Sequence, residues 1–156
     1  MKFHAVIDTN VIISALLSKH SDSATVKIMD AIFDGKIIPI FNEEILSEYS
    51  LVLRRKKFGF PSHLIEDTLE SIAASGVFVN ALESELKLHD SKDQVFYEVC
   101  ISQNDSFLVT GNIKHFPKQP QIVTPAEMIH IMESMTSPTS SLLNEPQAEY
   151  GNTARL

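Results

Sequence analysis

The sequence predicts an α/β fold on a mainly parallel sheet. Short apolar runs alternate with amphipathic segments of helical period, the pattern of repeated strand–helix units. The first run, residues 3–7, is nearly continuous in apolar character, as in a strand buried on both faces. Capping and stop residues then separate each segment from the next.

The first strand, residues 3–7, ends at Asp8, and residues 11–17 follow as a helix. Capping residues at 21–23 precede a second helix with Val26, Met29 and Phe33 on one face and Gly35 as its stop. Residues 37–41 form the second strand. Pro39 in its middle points to an edge position or a bend, because proline donates nothing to a ladder. Asn42 caps an amphipathic helix expected to run to about residue 57, with Ile45, Leu46, Tyr49, Val52 and Leu53 as its apolar stripe. Residues 58–61 break the pattern. A helix over 62–75 closes at Gly76, a short strand covers 77–79, and another helix covers 92–103. A strand over 107–110 runs into Gly111 and Asn112, and Ile122 and Val123 mark the last strand. Thr124 to Glu127 is a capping box with Pro125 at the first helical position, starting a helix that ends near Met135. From Ser134 onward the composition turns to Ser, Thr, Pro, Asn and Gln. The expected division is a folded domain over 1–134 and a polar, flexible tail over 135–156.

With 156 residues the chain has one domain's length, enough to bury roughly 68–70% of its unfolded surface without a structural metal or disulfide. A single cysteine, Cys100, excludes a disulfide framework and a cysteine-rich zinc site, and fits a reducing, cytoplasmic setting. No apolar run approaches about 18 residues, so no membrane span is expected. The start of the chain leads directly into a strand-like run, so no signal peptide is expected. The net charge is −7, from 20 acids against 13 bases, which excludes a binder that coats phosphates with Lys and Arg.

In open parallel sheets the functional edge lies at the carboxyl ends of the strands. Asp8, Thr9 and Asn10 follow the first strand there, and Thr110, Gly111 and Asn112 follow the fourth. Helix starts at the same edge supply Asn42 with Glu44 and Glu48, and Asp90 with Asp93. Each residue also has a plain structural use. Asp8, Asn10 and Asp90 are all able to cap helices, and Asp93 suits a first helical turn. Glu48 lies at the border of its helix's apolar stripe, where a half-buried carboxylate needs a partner; Arg55 is one structural candidate. If Asp8, Glu48 and Asp93 converge, carboxylates about 4 Å apart repel by roughly 4 kcal/mol at an effective dielectric of about 20. Such a cluster holds protons at raised pKa or holds a cation. All-oxygen ligands suit Mg²⁺ or Mn²⁺ rather than zinc, and the chemistry this favours is phosphodiester hydrolysis.

These motifs resemble those of PIN-domain nucleases. Val6-Ile7-Asp8-Thr9-Asn10 and the apolar residues after it are similar to the family's opening motif. Residues 44–54, with Glu48 as the acid, resemble its second helix motif. Asp90-Ser91-Lys92-Asp93, followed by Phe107-Leu108-Val109-Thr110-Gly111-Asn112, resembles its third acid and fourth-strand signature. The resemblance covers roughly residues 3–134 and is closest to toxin components of bacterial toxin–antitoxin pairs. It implies a three-layer α/β/α sandwich with a five-stranded, mainly parallel sheet. It also implies Mg²⁺- or Mn²⁺-dependent endoribonuclease activity on single-stranded RNA, a homodimer or higher homo-oligomer, and inhibition by a cognate antitoxin protein. Carried over by position, Asp8, Glu48 and Asp93 match the metal-binding, catalytic acids, and Asn10 matches the residue supporting the first. Thr110 is expected to orient the ligands by hydrogen bonding. Asn112 stands where many members have a fourth aspartate, so a ligand oxygen is kept and a charge is lost; Asp90 is a secondary candidate to compensate.

An acidic protein must hold RNA locally. Arg54 and Arg55, with Lys56 and Lys57, and Lys114 and His115, with Lys118, are the candidate phosphate contacts; a helix-end charge complement and a solvated loop are their structural alternatives. Two other functions remain open. One is a degenerate domain that binds RNA or protein without catalysis, prompted by Asn112. The other is a phosphoaspartate phosphohydrolase, which also opens on a strand ending in Asp but usually carries an acid where this chain has Asn10.

Overall fold

The computed structural model describes residues 1–136, 148–150 and 153–155. Five strands form one parallel sheet: β1 (Phe3–Ile7), β2 (Ile37–Phe41), β3 (Val77–Phe78), β4 (Ser106–Val109) and β5 (Ile122–Val123). Their order is β3-β2-β1-β4-β5. In register, Phe3 pairs with Ile37, His4 with Ser106 and Ile7 with Val109. The predicted α/β class and the five-stranded sheet are both present.

Six helices connect the strands: α1 (Thr9–Leu17), α2 (Ala24–Phe33), α3 (Glu43–Leu53), α4 (Ser62–Ser75), α5 (Ser91–Ile101) and α6 (Pro125–Thr136). From β1 to β3 the chain moves one way across the sheet; at β4 it returns past β1 to the other side. Right-handed crossovers then place α5 on the face opposite the earlier helices, a three-layer α/β/α arrangement. β1, β2 and β4 are buried on both faces, which is why they are written in Ile, Val, Leu and Phe. Ile7, Ile12, Ile28, Ile40, Ile45 and Leu108 are among the fully buried side chains between the layers.

Most boundaries fall within two residues of the sequence expectation. The Asn42 cap accepts a hydrogen bond from Ile45 N at 2.9 Å, and the Thr124–Glu127 box closes reciprocally at 2.8 and 3.2 Å. Two readings are corrected. α3 stops at Leu53 rather than near residue 57; Arg54 is its C-cap, and Lys56–Phe58 forms a separate 3₁₀ turn. β2 is not an edge strand. Pro39 is tolerated because the ladder with β3 begins only at Ile40, leaving Pro39 paired on the β1 side alone. Gly76 closes α4 as expected, with a negative φ of −108°. A Cβ there would lie 2.4 Å from both the Phe41 ring and the Pro39 carbonyl, so glycine permits the close approach of α4's end to β2.

The expected flexible tail, 135–156, lies mostly outside the described residues. Within it, Ala148–Tyr150 pairs antiparallel with Thr153–Arg155.

Candidate functional site

Asp8 follows the C-terminal end of β1 and Thr110 follows that of its neighbour β4. The chain leaves β1 towards β2 on one side, and β4 lies on the other. This is the topological switch point, where the loops of an open parallel sheet diverge and leave a crevice.

Asp8 stands at the N-cap position of α1, but its side chain caps nothing. Its Oδ2 accepts instead from the Thr110 hydroxyl at 2.7 Å and from Asn10 Nδ2 at 3.3 Å. The other end of the Asn10 amide accepts from Gly111 N at 3.2 Å, so Asn10 bridges the two loops. Thr110 is fully buried and accepts from Asn112 N at 2.9 Å. Asn112 therefore enters the site through its backbone, and its side chain is exposed.

Asp93 comes in from the first turn of α5, with 16% of its side chain exposed. Its Oδ2 lies 3.4 Å from His115 Nδ1. Asp90 adopts its plain role: it caps α5, accepting from Lys92 N at 2.8 Å. Burial is the largest cause pushing the Asp8 carboxyl above its ordinary value. The Thr110 hydrogen bond opposes this, the charge of Asp93 adds to it, and the Thr9 N–H and His115 oppose it. Asp93 is also pushed up, first by burial and then by Asp90. His115 counters that, and Glu48 adds to it.

Glu48 is half-buried, as its place on the helical wheel predicts. It lines a cavity of about 250 Å³ with Glu44, Ser91 and Lys92, between α3 and the start of α5. Its charge reaches Asp93, and among the described residues it makes no ion pair with Arg55. Arg54 Nε donates to Ser50 on its own helix, and Arg55 and Lys114 are exposed.

Sequence reasoning missed Tyr49. Its hydroxyl donates to the Ile7 carbonyl, the residue before Asp8, and its ring packs tilted against Phe96 of α5, with centroids 6.2 Å apart. One buried side chain thus ties the Glu48 helix to the Asp8 strand and the Asp93 helix. A tyrosine within an otherwise aliphatic stripe is the available signal, since a buried phenol needs an acceptor. Gln94 is a second such residue. It accepts from Leu88 N at 2.7 Å and donates to the Leu86 carbonyl and to Glu98, holding the loop before α5.

Among the described residues, no three His, Cys, Asp or Glu side chains gather closely enough to form a metal-holding group. Mg²⁺ does not require one. It keeps several waters and is often held by one or two carboxylates. Two mutually repelling carboxyls, both raised and both supported by hydrogen-bond donors, fit a hydrated hard cation on Asp8 and Asp93. Glu48 would then reach it through water. They do not form an all-protein cage.

A protein-family model described as PIN domain matches residues 4–114. The chain belongs to the PIN-domain family. PIN domains are generally nucleases that depend on divalent metal ions, so this chain carries a nuclease-type domain. The PIN match spans Asp8, Glu48, Asp93, Thr110 and Asn112 and stops one residue before His115. A 3-hydroxyanthranilate 3,4-dioxygenase of Brucella anthropi is 34% identical over 56 residues, 32% of this chain. The match covers 31% of that relative's length, too little to transfer its activity to this PIN domain. No solved structure matches the chain. Among the described residues no helix is long and apolar enough to cross a membrane.

Proposed function

We propose that the protein is an Mg²⁺- or Mn²⁺-dependent endoribonuclease that hydrolyses single-stranded RNA in the cytoplasm, and that it is the toxin of a toxin–antitoxin pair. The observation that carries this reading is the clamp on Asp8, held by Thr110 and Asn10 opposite Asp93 at the switch point. The toxin role, a cognate antitoxin protein and a homodimer or higher homo-oligomer rest on the resemblance of the motifs.

In this reading Asp8 and Asp93 would hold the cation, and the nearby Glu48 carboxylate would assist them. When bound, the ion supplies a more acidic water and neutralises charge on a phosphate oxygen. Thr110 and Asn10 fix the Asp8 carboxylate, so no reorganisation is needed as charge develops. Burial of Asp8 excludes bulk water behind it. His115 holds Asp93 in place from the solvent side. Net, the hydroxyl of water ends on phosphorus and its proton on the displaced ribose oxygen. Arg54, Arg55, Lys114 and His115, all exposed, are the proposed phosphate contacts.

Cleavage of a single-stranded RNA by the full chain, with and without Mg²⁺ or Mn²⁺, tests the activity. Asp8→Ala and Glu48→Ala are expected to lose it, and equal activity in those variants sinks the reading. Induced expression tests the toxin role: growth arrest by the parent chain but not by Asp8→Ala is expected.

A second reading, a non-catalytic RNA- or protein-binding module, is favoured by the exposed Asn112 and by the absence of a three-acid group among the described residues. It predicts RNA binding without metal-dependent cleavage. The phosphohydrolase alternative gains nothing, because Asn10 is committed to bridging Asp8 and Gly111.

A further inference from the structure

Beside the Asp8 clamp the chain builds a feature that hydrolysis itself does not use. After α3, Arg54, Arg55, Lys56 and Lys57 are all exposed and lead into the Lys56–Phe58 turn. Gly59 follows at φ +66°, a left-handed conformation that turns the chain sharply. The turn lets Phe58 and Phe60 stack, with centroids 5.6 Å apart and planes 15° from parallel. Lys57 Nζ sits 5.2 Å from the centre of the Phe58 ring. Both rings are half-buried, so each keeps accessible surface.

Phe58 also lines an open cavity of about 550 Å³ with Asn10, Ile13, Ser14, Leu17 and Ser18. Asn10 is the residue that donates to Asp8. The cavity therefore runs from the aromatic turn to Asn10, the hydrogen-bonding neighbour of Asp8. No acid lines it, although the chain carries a net charge of −7. A single nucleic-acid strand alternates anionic phosphates with flat, apolar bases. An aromatic face flanked by cations complements both, and base–aromatic stacking tolerates any base.

We propose that Phe58, backed by Phe60, is a nucleobase-stacking subsite that seats one unpaired base of the RNA strand beside the Asp8 site, with Arg54, Arg55 and Lys57 on the adjoining phosphates. This rests on the RNA-cleaving reading above and adds how the substrate is held. A base on the ring takes the place of the Lys57 ammonium, which moves to a phosphate. A duplex is refused because its bases are already stacked and paired.

The chain has no tryptophan, so Phe58→Trp places the protein's one tryptophan on the platform, excited selectively over the tyrosines. In full-length protein also carrying Asp8→Asn, without divalent metal, an unstructured oligoribonucleotide is titrated. It is compared with the same strand annealed to its complement and with an abasic strand of equal length. Saturable quenching by the single strand is expected, with much weaker responses to the other two. Phe58→Leu, shown to be folded by circular dichroism, is expected to bind the single strand roughly tenfold more weakly and to raise the KM of cleavage more than it lowers kcat. Unchanged fluorescence while the strand binds by a filter assay overturns the subsite, as does parent-like binding and cleavage by Phe58→Leu. In both cases Asp8-dependent cleavage leaves the nuclease reading standing. Quenching without any cleavage by the unmodified chain supports the subsite and removes the nuclease reading.

Discussion

The Thr110 hydroxyl donates a 2.7 Å hydrogen bond to Asp8 Oδ2, joining the ends of two adjacent strands from positions 102 residues apart. Its direction is settled by its other contact. The hydroxyl accepts from Asn112 N, so its one proton goes to the carboxylate. Thr110→Val keeps the volume but leaves an Asp8 oxygen and the Asn112 N–H short of a partner. Expected is a stability loss of about 1–3 kcal/mol in urea denaturation. Cleavage is expected to fall by about 10–100-fold, as for other groups that orient a metal ligand. Thr110→Ser, which keeps the hydroxyl, is expected to restore most of both.

Tyr49 carries a second such link, from α3 to the Ile7 carbonyl. Burial is the main cause holding its phenol far above the ordinary tyrosine range, and the nearby Asp8 charge adds to it, so it remains a donor at every pH at which the protein is folded. Tyr49→Phe leaves the ring packed against Phe96 and the carbonyl unpaired. A stability loss of about 1–2 kcal/mol is expected by thermal denaturation. A several-fold fall in kcat is expected with it, because the same bond sets the register of Glu48 against Asp8.

The raised pKa values of Asp8 and Asp93 set a pH dependence for the metal-free protein. An acid whose folded pKa lies above its unfolded value binds more protons in the native state between the two values. The contribution of these two groups to stability is therefore full below the unfolded pKa of about 4 and is lost as pH rises through the folded pKa. Asp8→Asn removes one contributor, keeps an acceptor for Thr110 and ends the repulsion with Asp93. Measured in EDTA, this variant is expected to be more stable than the parent at neutral pH. The difference should shrink to nothing as pH falls below about 4. Activity is lost in exchange, the usual trade at a strained polar site.

Thr9 Oγ1 is buried without a hydrogen-bond partner among the described residues. Replacing an unsatisfied buried hydroxyl by a methyl group of the same shape removes a desolvation cost. Thr9→Val is expected to raise stability by about 1 kcal/mol in the same urea assay. A loss of similar size would mean that the hydroxyl has a partner when the protein is in solution.

The strands and the edge that carries the site were legible because a strand buried on both faces is apolar until it stops, so Asp8 and Thr110 stand out where β1 and β4 end. Glu48 was legible from its place beside the α3 stripe. The end of α3 was not. Arg and Lys are good helix formers, so residues 54–57 continue the helical pattern, and only the turn through Gly59 interrupts it. The contacts of Tyr49 with Ile7 and of His115 with Asp93 depend on which elements become neighbours, which local periodicity does not encode. Asp90 was ambiguous for the same reason; as a cap it holds α5 and acts on Asp93 only through its charge. The stacking of Phe58 on Phe60 was hidden because residues two apart meet only when the backbone folds back between them.

Calorimetric titration of the full chain with Mn²⁺ tests most directly whether Asp8 and Asp93 form a cation site. Saturable binding at millimolar concentration or below is expected for the parent, reduced at least tenfold in Asp8→Asn and in Asp93→Asn and weakened less in Glu48→Gln. Binding that is the same in all four proteins, or absent from the parent at millimolar Mn²⁺, would contradict the site and with it the metal-dependent cleavage proposed for this PIN domain.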